Sequence, residues 1–192
     1  MPQSVRFFVI FLICCLSHSL LSCSYPNKNA KITDFLVTGS AGTLLVYAKV
    51  TNCFTKDMES AILAGVPTTF TFLVDLYQKR THWFDKKISR LVIAHTIKYD
   101  SVKENFNLSS SIGQESPVFQ DFDSAKRAMA ELNGVIIAPM GHLKKDAKYY
   151  ILVKAKMDKV RLPLHMEHVF FFISLWDFET NWYKQEFVYR SA

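Results

Sequence analysis

The chain has 192 residues, of which 49% are hydrophobic, which is enough apolar material for one packed domain and too much for a disordered protein. Its 16 Phe, 8 Tyr and 3 Trp favour strands over helical bundles. The formal net charge is +6, but the basic residues form short clusters with acids between them, as in KKDAK (144–148) and DKK (85–87). This spacing predicts a solvated surface and no nucleic-acid groove, and it leaves weak attraction to an anionic membrane open.

The N-terminus has the pattern of an export signal, in which one positive charge precedes an apolar run from Phe7 to Leu16. Because a bilayer span needs about 20 apolar residues, this run predicts a signal peptide rather than a membrane helix. The following LLSC (20–23) resembles a bacterial lipobox, whose cysteine becomes the lipidated first residue of the mature chain. We therefore expect a lipoprotein signal over 1–22 and a membrane anchor at Cys23. Ordinary cleavage near 22–24, giving a periplasmic protein, is the alternative.

After the signal we expect a tether over 23–30 and one β-rich domain over 31–192. Two of the four cysteines leave with the signal, and lipidation of Cys23 leaves Cys53 as a lone thiol. No disulfide framework is therefore predicted. Without lipidation, a Cys23–Cys53 bridge stays open.

The first half of the domain predicts five strands and a helix. Residues 30–53 read as a hairpin around GSAG (39–42), and TKDMESAILAGVP (55–67) reads as a helix capped by Thr55. Two alternating strands follow. The expected inward residues of these strands are Phe70, Phe72, Val74 and Leu76 in the first, and Leu91, Ile93, His95, Ile97 and Tyr99 in the second. SVKENFNLSS (101–110) is the expected hairpin partner of the second strand.

The second half predicts a helix and further strands. DSAKRAMAELNG (123–134) reads as a helix capped by Asp123 or Ser124, with Leu132 in its apolar stripe and Gly134 at its end. YYILVKAKM (149–157) alternates as a strand, and residues 168–189 are strand-compatible, with a helix over 163–175 after Pro163 as the alternative. Seven to nine strands against two short helices predict a mainly antiparallel β fold. We expect a two-sheet β-sandwich with the helices in connections, and a barrel or a single helix-covered sheet is the alternative.

The segment SLWDFETNWY (174–183) carries a candidate carboxylate pair, Asp177 and Glu179. On a strand these residues share a face with their Cα atoms about 6.6 Å apart, a spacing that glycosidase chemistry permits. No third acid reinforces the motif. We therefore expect a two-faced strand with its aromatic residues toward the core and its acids toward water. A docking surface and a glycan hydrolase are the alternatives.

Other chemistry has weaker signals. The histidines of HMEH (165–168) lack a third ligand with zinc-site spacing, and no C-x-x-C, nucleophile elbow or phosphate-binding glycine loop occurs. We expect no metal, no cofactor and no catalytic residue, and we expect His95 to be a core histidine bonded to a neighbour. One candidate interaction or ligand patch remains. It comprises Trp83, Phe84, Trp176, Asp177, Glu179 and Trp182, whose rings we expect in the core unless they form a contiguous exposed patch.

The order of several segments resembles the DUF4390 family, a bacterial domain of unknown function. The resemblance rests on ESAILAGVPTTFTFLVDLY (59–77), HWFDKKI (82–88), IKYDSVKENFNL (97–108), the predicted helix at 123–134, RLP (161–163) and FFISLWDFETNWY (171–183). It implies an exported or membrane-anchored envelope protein of Gram-negative bacteria, and it supplies no reaction or ligand.

We therefore expect a module on the periplasmic side of the envelope that docks another envelope protein, through its surface or by strand addition at a sheet edge. Binding of an acyl chain or glycan in a cavity is the alternative, and a glycan hydrolase built on Asp177 and Glu179 is the third hypothesis.

Overall fold

The computed structural model describes residues 29–113, 116–158 and 178–190. Within these residues the chain forms nine strands: β1 (Lys31–Ser40), β2 (Thr43–Thr51), β3 (Thr68–Gln78), β4 (Lys86–Asp100), β5 (Asn105–Ser110), β6 (Val118–Phe119), β7 (Glu131–Pro139), β8 (Lys148–Met157) and β9 (Tyr183–Val188). Two α-helices, α1 (Lys56–Leu63) and α2 (Phe122–Met129), and a 3₁₀ turn at Met140–His142 complete the elements.

The strands form two antiparallel sheets, a small sheet of order β1-β2-β7 and a large sheet of order β6-β5-β4-β3-β8-β9. Helix α1 carries the chain from the small sheet to the large one, and α2 carries it back. The predicted mainly antiparallel β fold, with two sheets and helices in the connections, is confirmed. Over the described residues the sheets do not close into a barrel.

The core lies between the inner faces of the two sheets. Every second side chain of β3 is fully buried, and so are the matching residues of β8. The predicted alternation of β3, β4 and β8 is therefore confirmed. Ring contacts join the layers, because Phe54 packs on Phe70 at 5.1 Å and Phe35 packs on Tyr183 at 5.2 Å between ring centroids.

Helix α1 follows the sequence prediction. The Thr55 side chain accepts a hydrogen bond from the Met58 N–H at 3.3 Å, as an N-cap should. Met58 and Ile62 are buried, and Gly65 adopts φ +84° just after the helix, a left-handed conformation that suits glycine.

The second predicted helix was wrong in its boundaries. Helix α2 is capped by Asp121, whose carboxylate accepts from the Ser124 N–H at 2.8 Å, and it ends at Met129. The chain then enters β7, so Leu132 is buried from a strand. Pairing with β2 and the β-branched residues after Gly134 outweigh the helical pattern. Gly134 itself lies inside β7 with φ +62°, where the Tyr47 hydroxyl would lie 3.2 Å from an added Cβ.

The segment before β9 is not the regular strand that was predicted. Phe178 and Thr180 are buried and Glu179 is exposed, so the expected two faces hold for these residues. The Thr180 hydroxyl, however, accepts the Ala155 N–H at 3.0 Å, and a side chain thereby takes a place in the ladder that a carbonyl would hold. Over the described residues 178–182, the strand pairing before β9 is an isolated bridge from Lys156 to Glu179. Trp176 and Asp177 lie outside the described residues.

The strands run between two poles of the sandwich. Phe54 contacts Phe70 at one end of β3, which places the start of β1 and the end of β2 at that pole. At the other end of β3, Gln78 pairs with Lys86 and Tyr149, which places the β3–β4 loop beside the start of β8. Eight residues separate Phe70 from Gln78, or about 26 Å at 3.3 Å per residue.

Candidate functional site

The most exposed aromatic pair in the described residues lies on the β3–β4 loop, residues 79–85. Trp83 is 73% exposed and Phe84 is 85% exposed, and their ring centroids are 6.3 Å apart in an edge-on arrangement. We call this loop the aromatic loop. Two large apolar rings held in water are costly in free energy, so their position is a candidate for contact with another molecule.

Asp85 closes the aromatic loop. Its carboxylate accepts the Arg80 N–H at 3.0 Å and the Tyr150 hydroxyl at 2.9 Å. The Arg80 N–H lowers the pKa of Asp85, and burial together with the Asp85 hydrogen bond raises the pKa of Tyr150 to about 12. Because one carboxylate closes the loop and ties it to β8, Trp83 and Phe84 project from a fixed base.

A ladder of rings and cations lies on the outer face of the large sheet below this loop. Tyr77 and Tyr150 stack with centroids 5.1 Å apart and planes 11° apart. Lys87 lies 5.2 Å above Tyr77, and Lys184 lies 4.5 Å above Tyr150. The cations cover the outer ring faces, so this ladder supports the loop rather than offering a flat surface on which a sugar could stack.

Asp75 is the buried carboxylate nearest the ladder. It is 2% exposed, and Arg90 binds it through two nitrogens at 2.7 and 2.8 Å, with Lys87 at 3.4 Å. The hydrogen bonds from Arg90 hold the pKa of Asp75 below its usual range. A carboxylate that is saturated by two cations is a structural anchor and a poor general base.

The second group of predicted residues lies further along the outer face. Lys154 pairs with Glu179 and lies 5.6 Å from the Trp182 ring, which is 43% exposed. Lys154 faces Leu73 in β3, five residues before Gln78, so this cluster lies about 16 Å from the start of the aromatic loop. The predicted patch is therefore two separate sites in the described residues. The expectation that Trp83, Phe84 and Trp182 are core residues is wrong.

The fold also gathers basic segments that are far apart in sequence. Residues 79–87, 140–148 and 189–190 meet at the aromatic-loop end, joined by hydrogen bonds from the Lys79 N–H to the Lys148 carbonyl at 2.9 Å and from the Asp146 N–H to the Tyr189 carbonyl at 2.8 Å. We call these segments the basic pole. They carry eight lysines and arginines and two acids, a formal charge of +6 that equals the charge of the whole chain. The expectation of scattered charge missed this convergence.

The family described as Domain of unknown function (DUF4390) matches residues 27–186. The chain belongs to the DUF4390 family. The resemblance of the motifs is thereby confirmed over most of the chain. No curated protein and no solved structure shows significant similarity to it.

Two further candidate residues of this DUF4390 domain, His95 and Cys53, have structural roles. His95 is buried, and its Nδ1 lies 3.2 Å from the Met129 carbonyl, which confirms the predicted core histidine. Burial lowers its pKa. Cys53 is buried, and burial raises the pKa of its thiol to about 12, so it is not a reactive thiolate. His165, His168 and Cys23 lie outside the described residues, and within the rest no group of three potential metal ligands occurs.

A shallow depression of about 430 Å³ opens beside the start of β1, lined by Asn29, Lys31, Asn52 and Phe54. It contains none of the aromatic residues that were predicted to line a ligand cavity, and three of its four residues are polar.

Over the described ranges, the helices of the domain are too short and too polar to cross a membrane.

Proposed function

We propose that this DUF4390 protein is an exported envelope protein, anchored by lipid at Cys23, that docks a partner protein through the aromatic loop. The observation that carries the proposal is the exposed pair Trp83 and Phe84 on a loop closed by Asp85. Interface hot spots are typically large rings that enter pockets on a partner. Because Asp85 closes the loop with two hydrogen bonds, less conformational entropy is lost on binding than for an open loop.

The first described residues of the chain and the aromatic loop lie at opposite poles of the sandwich. The chain enters the domain at the pole that contains residues 29–31, 52–57, 98–105, 157–158 and 178–180, which we call the N-terminal pole. Six residues separate Cys23 from Asn29, a reach of about 20 Å. A lipid at Cys23 would therefore hold the N-terminal pole near the bilayer, preferably the outer membrane, and point the aromatic loop into the periplasm.

Burial of the Trp83 and Phe84 rings in a pocket of the partner would supply free energy for binding. Complete burial of a large apolar side chain contributes roughly 1.5–3 kcal/mol, and both rings start from high exposure. The Lys154–Glu179–Trp182 cluster has less to gain, because Trp182 is already half covered and Lys154 is ion-paired. We therefore assign docking to the aromatic loop and regard the cluster as a flanking surface.

Site-specific crosslinking in cells tests this function. A photoreactive phenylalanine analogue would be placed at His82, beside the two rings, and a matched control at Val102, which is 91% exposed on the N-terminal pole. We expect one dominant protein adduct from position 82, absent from position 102 and abolished by Trp83→Ala with Phe84→Ala. An adduct with a lipid or glycan from position 82, or no adduct, would refute protein docking and favour the small-ligand and hydrolase hypotheses.

A further inference from the structure

Charge is divided unevenly between the two poles. The basic pole has a formal charge of +6, whereas the N-terminal pole carries four basic and five acidic residues. The two poles are about 26 Å apart along β3, more than twice the screening length of about 8 Å at physiological ionic strength. A partner that approaches the aromatic loop therefore meets a positive field that the acids of the other pole do not cancel.

The acids within or beside the basic pole leave most of this charge uncompensated. Asp85 is engaged within the loop by the Arg80 N–H and the Tyr150 hydroxyl. Glu186 lies 2.6 Å from Lys184 and 3.7 Å from Lys79, and Asp75 lies 3.4 Å from Lys87 while it also binds Arg90. Lys144, Lys145, Lys148 and Lys86 are all exposed around the loop. Exposed positive charge thus lies at the same pole as the protruding rings.

We infer that the partner presents an acidic protein surface around an apolar pocket that receives Trp83 and Phe84. The inference rests on the docking function proposed above and adds the chemistry of the partner. Complementary charge at the rim accelerates encounter and fixes orientation, while the buried rings supply affinity. An anionic bilayer has similar charge, but turning the far pole toward the membrane that holds the lipid would need a tether of about 26 Å, longer than the roughly 20 Å between Cys23 and Asn29.

Charge reversal separates this inference from the docking function. Two double variants, both with the crosslinker at position 82, are compared. The first carries Lys144→Glu and Lys145→Glu on the basic pole, and the second carries Lys98→Glu and Lys103→Glu on the N-terminal pole. Both pairs are exposed lysines, so the comparison controls for net charge and for folding. We expect the first pair to lower the yield of the protein adduct by at least about fivefold and the second to leave it near wild type. The adduct is identified by mass spectrometry, which also reports the acidity of the crosslinked partner segment.

The outcomes are distinct. If the adduct forms, needs Trp83 and Phe84 and is unaffected by reversal at Lys144 and Lys145, docking stands and the acidic partner is refuted. Equal losses from both lysine pairs would also refute it, because the effect would then follow overall charge. If the adduct at position 82 is a phospholipid, or if no adduct forms, the docking function itself fails.

Discussion

The two-faced segment before β9 predicts a large difference between neighbouring aromatic substitutions. Phe178 is 1% exposed, its ring meets Phe70 edge-on at 4.7 Å, and its carbonyl accepts the Met157 N–H at 3.0 Å. Truncating a buried Phe to Ala costs about 3–5 kcal/mol, because apolar burial is lost and a cavity remains. For a domain of this size, 1 kcal/mol corresponds to a Tm change of about 2–4 °C. Phe178→Ala should therefore lower the Tm by about 6–20 °C.

Trp182→Ala is the matched control four residues away. Trp182 is 43% exposed and contacts Lys154 over its ring, so truncation removes more atoms but less buried surface. We expect its Tm to fall by no more than about 4 °C, given the roughly 0.5–1 kcal/mol of an exposed cation–π contact. Thermal and urea unfolding followed by circular dichroism measure both variants. Equal losses, or a larger loss at Trp182, would show that Phe178 does not hold this segment to the core.

Two further predictions concern a buried charge and the membrane anchor. Asp75→Asn should destabilise the domain by about 1.5–3 kcal/mol at pH 7 in urea unfolding, because the charge-assisted bonds to Arg90 are lost. Because folding lowers the pKa of Asp75, this stabilisation is present above about pH 4 and is lost as the pH falls through the pKa of the folded state. The difference in unfolding free energy between wild type and Asp75→Asn should therefore become smaller in acid. A difference that does not change with pH would contradict the ion-pair argument. Cys23→Ala should abolish palmitate labelling of the exported chain, and an unlabelled wild type would exclude the lipid anchor.

Local chemistry made much of the fold predictable. The β1–β2 hairpin turns at Ala41 and Gly42, both of which have positive φ. The sequence GSAG (39–42) predicts this turn. Thr55 caps α1, as its hydroxyl at that position predicts. The alternation of apolar and polar residues along β3, β4 and β8 matches their buried faces. The second helix failed because its pattern continues past residue 129, where pairing with β2 decides the structure. Long-range pairing overrides local propensity at such a boundary.

The candidate site was harder to predict, for two physical reasons. Positive charge on 85–87 and 144–148 converges only because β3 pairs with both β4 and β8, and this register is a property of the whole sheet. Trp83 and Phe84 are apolar, and burial is the ordinary expectation for large rings. One local signal did favour exposure, since the rings lie between basic residues in a segment that also contains the turn-forming Asp85. A turn at a sheet end has no second layer against which to bury them.

The arrangement separates stability from recognition. The core lies between the sheets, while the aromatic loop is hydrogen-bonded to the end of β8 and leaves its rings in water. Replacing Trp83 and Phe84 should therefore cost little folding free energy, whereas residues such as Phe178 cannot vary without loss of stability. An antiparallel sandwich with its chain entry at one pole leaves the loops of the other pole available to a partner. For this reason we assign binding to the loop whose rings contribute least to the core.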